Sequence, residues 1–215
     1  MKKILPIEGG LRGEIEIPGD KSISHRAIML SSLGDSEVEI ENFLLGADCL
    51  STIDCMKKMG VEIKISGEKI FVKGRGLHGL CEPSKILDAG NSGTTLRLLL
   101  GLTAPQKFFV TFTGDESLQK RPMARVIKPL TEMGAKIFGR NENKNLPISV
   151  LNPEKKLRGI TYQMPVASAQ VKSAIILAAL FADGETKIIE PYPSRDHTEK
   201  MLAAFGVKIE KSGNE

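Results

Sequence analysis

Three segments of the chain begin polar and then turn strongly apolar within the length of a helix. They are "SISHRAIMLSSL" at 22–33, "SGTTLRLLLGL" at 92–102 and "SAQVKSAIILAALFA" at 168–182. Each opens on small hydroxyl residues suited to capping a helix. Between Ala174 and Ala182 every residue is apolar, and a helix with no wet face has to be buried on all sides. Alternating, strand-like stretches follow each one, "SEVEIENF", "KFFVTFT" and "TKIIEP". Second helices such as "DCLSTIDCMKKM" and "HTEKMLAAF" are more amphipathic and belong nearer the surface.

The same order recurs. "CMKKMGVEI", "PLTEMGAKI" and "MLAAFGVKI" each stop a helix at glycine and resume with β-branched alternation; Gly60, Gly134 and Gly206 stand 74 and 72 residues apart. "GEIEIP" at 13–18 reads as a strand leading into the first buried helix. The period is too long for the common solenoids. It predicts an α/β domain of three βαβαββ repeats, at about 13–76, 77–156 and 157–215, whose buried central helices are enclosed by sheets. Sixteen residues, 61 to 76, follow Gly60 within its repeat and only nine follow Gly206, so the third repeat reads as truncated.

Composition narrows the function. The net charge of +4 comes from interspersed signs, and aromatics make up 5% with no tryptophan, which leaves little material for a nucleic-acid surface. Cys49, Cys55 and Cys81 are odd in number and lack metal-ligand spacing, so they read as cytoplasmic thiols. No segment approaches a membrane span, and the start lacks the apolar run of a signal peptide.

Polar residues gather where the three central helices begin. The first repeat offers Lys21, Ser22 and Arg26; the second Asn91, Ser92, Gly93, Thr94 and Arg97; the third Ser168, Gln170 and Lys172. "GDESLQKRPM" adds Lys120 and Arg121, and "YPSRDHTE" adds Arg195, Asp196 and His197. Helix N-termini carry unpaired N–H groups and partial positive charge, and arginine forks suit phosphate and carboxylate, so the pattern points to a polyanion. Singly, the serines read as caps, and Arg97 and Lys172 as residues that pair with buried acids or reach an edge. His25, His78 and His197 lack metal-ligand spacing, and no metal is expected. "GRGLHG" at 74–79 fits a dinucleotide pattern but opens no helix.

Taken in order, "PGDKSISHR", "DAGNSGTTLRLLLG", "GDESLQKRPM", "PVASAQVKSAIILAAL" and "PSRDHTE" resemble the signatures of the 5-enolpyruvylshikimate-3-phosphate synthases, from about Leu11 to about Ile209. The resemblance implies one lobe, at 13–215, of a two-lobed fold, an inside-out α/β barrel. Residues 1–12 would then pack with the second lobe. It implies transfer of the enolpyruvyl group of phosphoenolpyruvate to the 5-hydroxyl of shikimate 3-phosphate, with release of phosphate and no cofactor. Lys21, Ser22, Arg26, Ser168, Ala169 (through its backbone), Gln170 and Arg195 would bind shikimate 3-phosphate. Lys21, Gly93, Arg121 and Gln170 would bind phosphoenolpyruvate.

Ser92, Leu98 and Ala169 depart from the herbicide-sensitive members and resemble the less glyphosate-sensitive class. The family's acid/base groups belong to the second lobe, so no catalytic residue is expected within this chain and the missing lobe is its implied partner. The related UDP-N-acetylglucosamine transferases are opposed by "KSISHR" and "DESLQKRPM". An anion-binding module without catalysis is the remaining alternative.

Overall fold

The computed structural model describes residues 5, 9–10 and 12–213. Most of the segment 1–12 expected to meet a second lobe therefore lies outside the described residues. The first repeat contains α1 (Lys21–Leu33), β1 (Glu37–Ile40), α2 (Ala47–Lys58), β2 (Glu62–Ser66) and β3 (Lys69–Lys73). The second contains β4 (Leu87–Asp88), α3 (Gly93–Thr103), β5 (Val110–Thr113), α4 (Glu116–Lys120), α5 (Ala124–Glu132), β6 (Lys136–Gly139), the one-turn α6 (Arg140–Asn143) and β7 (Asn145–Leu151). The third contains β8 (Thr161–Gln163), α7 (Ala169–Ala179), β9 (Lys187–Ile189) and α8 (His197–Ala204). The class is mixed α/β.

The second repeat displays the whole predicted pattern. Its sheet runs β4-β5-β7-β6, with β4 and β5 parallel and β7 antiparallel to both β5 and β6. In the first repeat β3 takes the place of β7, in the order β1-β3-β2. The registers correspond: Val38 and Ile40 face Val72 and Ile70, as Val110 and Phe112 face Val150 and Ile148. Among its described residues the third repeat shows only the parallel pair β8-β9.

Two expectations need correction. Residues 13–18 form no strand, and Ile15 and Ile17 are 81% and 74% exposed. Alternation gives a segment one apolar face, but that face becomes a strand only where a neighbouring edge and an underlying layer accept it. Nor do strands follow Gly206, where residues 207–212 have no ladder partner.

The helix stops are as the sequence predicts. Gly60, Gly134 and Gly206 have φ of 91°, 106° and 83°, the left-handed conformation glycine adopts without a Cβ clash. The central helices are buried. On α3 only Thr94 and Arg97 reach beyond full burial, and Leu96, Leu98, Leu99, Leu100 and Leu102 have no exposed surface. On α7, Leu177 is buried and Ile176 half-buried. α3 and α7 pack backbone to backbone at Gly101, where an added Cβ would lie 2.7 Å from Ala174 Cα. Among the described residues no helix is long and apolar enough to cross a membrane.

Candidate anion-binding site

The N-termini of α1 and α7 come together at a small cavity of about 200 Å³. It is lined by Lys21, Ser22, Arg26, Thr94, Ala169, Gln170, Arg195 and His197. Six of these eight residues are among those that the family resemblance assigns to shikimate 3-phosphate. Three cations line the cavity and no carboxylate does, so its electrostatic field suits negative charge. Helix α3 contributes Thr94 and, beside the cavity, Gly93.

Local sequence explains how each side chain is aimed. Asp20, not Ser22, caps α1, its carboxylate accepting from Ile23 N at 2.8 Å. That leaves the Ser22 hydroxyl facing the cavity, where it accepts from Arg195 Nη1 at 3.1 Å. Ser92 and Ser168 do cap α3 and α7, accepting from Thr95 N and Val171 N. Ser168 therefore lies at the rim and does not line the cavity. The Lys21 ammonium is half in solvent, 2.9 Å from Asp48 Oδ2.

Arg26 is 4% exposed and held from three directions. It donates to Thr198 Oγ1 at 2.6 Å, Ser173 Oγ at 2.6 Å and the Ser22 carbonyl at 2.8 Å. Burial draws its guanidinium below the ordinary arginine value, Glu199 opposes that shift, and the neighbouring Arg195 adds to it. Arg195 is exposed and free to meet an incoming anion.

A second basic group adjoins the first through Gln170. Its amide oxygen accepts from Arg97 Nη1 at 2.7 Å, and its nitrogen donates to Thr94 Oγ1 at 2.8 Å. Burial lowers the Arg97 guanidinium pKa, and Arg125 and Arg121 lower it further. A Cβ on Gly93 would stand 2.7 Å from Arg97 Nη1 and 3.4 Å from Arg121 Nη1. The bare backbone at 93 thus opens directly onto two guanidinium groups. Asn91 Oδ1 steadies Arg121, accepting from Nη2 at 2.6 Å.

Some of the polar cluster falls elsewhere. Lys120 lies beside Gln119 and Arg140, away from the cavity, and Asp196 pairs with Lys200 at 3.2 Å. Lys172 resolves in favour of buried acids, with Glu190 and Glu199 each 2.7 Å from its ammonium. Sequence reasoning missed Ser173, Thr198 and Asp48, which hold Arg26 and Lys21. A serine inside an otherwise apolar helix, next to a lysine, was the available signal for the first.

Residues 6–215 match the family described as EPSP synthase (3-phosphoshikimate 1-carboxyvinyltransferase). Over 203 residues, 94% of this chain, it is 58% identical to a 3-phosphoshikimate 1-carboxyvinyltransferase of a Thermoanaerobacter species, covering 47% of that relative. It is 55% identical over 212 residues to one from Bacillus cereus, covering 99% of this chain and 49% of the relative. A solved EPSP synthase from Acinetobacter baumannii superposes with a TM-score of 0.91 at 47% identity, over 94% of this chain and 45% of that one. The chain thus spans about half the length of the relatives it matches. With a family match along nearly its whole length and a basic cavity built from the same signatures, the chain belongs to the EPSP synthase family.

Proposed function

We propose that this chain is the shikimate 3-phosphate-binding half of an enolpyruvyl transferase, which moves the enolpyruvyl group of phosphoenolpyruvate to the 5-hydroxyl of shikimate 3-phosphate and releases phosphate. The observation that carries the reading is the carboxylate-free cavity where Lys21, Arg26 and Arg195 converge with Ser22 and Gln170. In this reading Lys21, Ser22, Arg26, Ser168, the Ala169 backbone, Gln170 and Arg195 hold shikimate 3-phosphate. Lys21, Gly93, Arg121 and Gln170 hold phosphoenolpyruvate. Two anionic substrates repel one another, and cations shared between their sites bring them together, with Lys21 and Gln170 serving both. No cofactor is called for. The three unpaired thiols and the metabolic role suit the cytoplasm.

The same proposal gives the chain a larger setting. The lobe at 13–215 is an inside-out barrel of three repeats, with boundaries near 76 and 156 and the third repeat unfinished. An open groove of about 520 Å³ supports this. It lies between β9 and residues 207–210 and is lined by Ile176, Leu180, Ile188, Val207 and Ile209. The corresponding place between β5 and β6 is filled by β7, whose Ile148 and Val150 are fully buried. Acid/base groups for protonating the phosphoenolpyruvate methylene and for taking the 5-hydroxyl proton belong to a second lobe, which is the chain's partner. Each such group is commonly worth about 10² to 10⁴ in rate.

The test is phosphate release from the two substrates. The purified chain alone is expected to give none, and adding the remaining half of the Thermoanaerobacter relative is expected to restore it. Turnover by this chain alone would show that the acid/base groups are misplaced. Binding of shikimate 3-phosphate with no turnover in any combination would favour an anion-binding module.

A further inference from the structure

Directly behind the cavity lies an ionic cluster that no substrate contact accounts for. The Lys172 ammonium is 2.7 Å from Glu190 Oε2 and 2.7 Å from Glu199 Oε1, and the three side chains are 6%, 8% and 17% exposed. Around it α7 is apolar, with Val171, Ala174, Ile175, Leu177 and Ala178 all buried. Burial disfavours the ammonium, yet the bonds to Glu190 and Glu199 outweigh it and raise the Lys172 pKa. Burial likewise works against the Glu190 carboxylate, and its bonds to Lys172 and Ser194 lower its pKa on balance. Lys172 and Glu190 thus each favour the charged form. Buried charges of this kind are poor stabilisers, since well-packed apolar residues usually do as well or better. A role beyond stability is to be sought in what the cluster holds.

It holds the segment that carries Arg195. Glu190 Oε1 accepts from the Ser194 hydroxyl, so the ends of the turn 190–194 are tied together and the turn is anchored to Lys172. The next residue is Arg195, whose Nη1 donates to Ser22 Oγ across the cavity. Glu199 fixes the other side of the same segment, in the first turn of α8. Arg195 itself is exposed, and among the described residues its guanidinium donates to Ser22 alone.

We propose that Lys172 is a positioning residue for Arg195: through Glu190 and Ser194 it sets the turn that aims this guanidinium into the cavity. The proposal rests on the reading of that cavity as the shikimate 3-phosphate site. It assigns no substrate contact to Lys172.

A double-mutant cycle tests it. Affinity for shikimate 3-phosphate is measured by NMR titration of the chain, with and without Lys172→Met, in the unaltered and the Arg195→Ala backgrounds. Lys172→Met is expected to weaken binding roughly tenfold in the unaltered chain, the scale of a charged hydrogen bond, and less than twofold once Arg195 is gone. An equal loss in both backgrounds, or no loss in either, overturns the proposal. Ser194→Ala keeps every charge and is carried through the same cycle, so a Lys172→Met chain that fails to fold leaves the question decidable. Its expected effect is a roughly threefold loss that vanishes without Arg195. If the unaltered chain does not bind shikimate 3-phosphate, the functional reading falls. The positioning is then judged on the Arg195 Nε signal, which must shift and broaden in both variants. An unchanged Arg195 signal overturns the proposal.

Discussion

Protonating His25 should unfasten the floor of the site, and the effect is large enough to measure. The imidazole has no exposed surface; its Nδ1 lies 2.7 Å from Thr52 Oγ1, and Nε2 has no partner among the described residues. Thr52 Oγ1 is 2.7 Å from Thr95 Oγ1, which is 2.7 Å from Ser92 Oγ. One hydrogen-bonded string thus joins α1, α2 and the cap of α3, the elements that place Lys21 and Gly93. A neutral ring with its proton on Nδ1 leaves Nε2 a bare lone pair, the least costly way to bury it. Burial lowers the His25 pKa from 6.5 to about 4, with Asp48 opposing the shift and Lys21 and Arg26 adding to it.

Between those two values the unfolded chain binds a proton that the folded chain refuses. The contribution is therefore intact above about pH 6.5 and is lost as the pH falls toward 4. At 1.36 kcal/mol per pH unit, this one group removes about 2.5 kcal/mol between pH 7.5 and 4.5. The assay is urea unfolding at a series of pH values for the unaltered chain and for His25→Asn, whose side chain carries no charge. Carboxylates titrate alike in both, so the difference between the curves isolates His25. The curves should diverge by about that amount, with the unaltered chain losing more toward acid. Coincident pH dependences, or a His25 ring signal titrating above pH 6, would refute the reasoning.

Gly101→Ala should destabilise the chain by about 1–3 kcal/mol or more, because its methyl has no room against Ala174; a chemical-denaturation midpoint within error of the parent's would count against the close helix contact. Arg195→Ala should weaken shikimate 3-phosphate binding about ten- to a hundredfold and leave the melting temperature nearly unchanged, since the side chain is exposed. An aromatic disulfide reagent should label one thiol quickly. Cys81 is exposed, whereas burial pushes the Cys49 thiol up to about 11 and the Cys55 thiol up to about 12. Fast reaction of all three would contradict the packing of α2.

The central helices and their stops were legible because both depend on local information. An all-apolar run must be buried, and glycine at a helix end takes a conformation other residues resist. Strands were legible only where a partner was available. "GEIEIP" alternates as well as "KIFVK" does, yet only the second lies between two neighbours, β1 and β2. The short helix α4 and the turn α6, whose residues 141 to 143 are left-handed, carry no apolar period and escaped notice. At the site, cations and helix caps could be read from spacing, but their aim could not. Ser22 appears as a cap from sequence and turns out to face Arg195, because Asp20 two residues earlier takes the capping role. Arg26 reads as a fork for an anion, and its clasp by Ser173 and Thr198, 147 and 172 residues away in sequence, could not be read with it. Long-range clasps of this kind leave no local periodicity to find.

The most direct test of the account is a residue-resolved NMR titration of this chain with shikimate 3-phosphate. Saturable shifts are predicted at Lys21, Ser22, Gln170 and Arg195, with smaller ones at Gly93 that grow when phosphoenolpyruvate is added. The absence of any saturable shift, or shifts centred on the groove of Ile188 and Ile209 while the cavity stays silent, would contradict it.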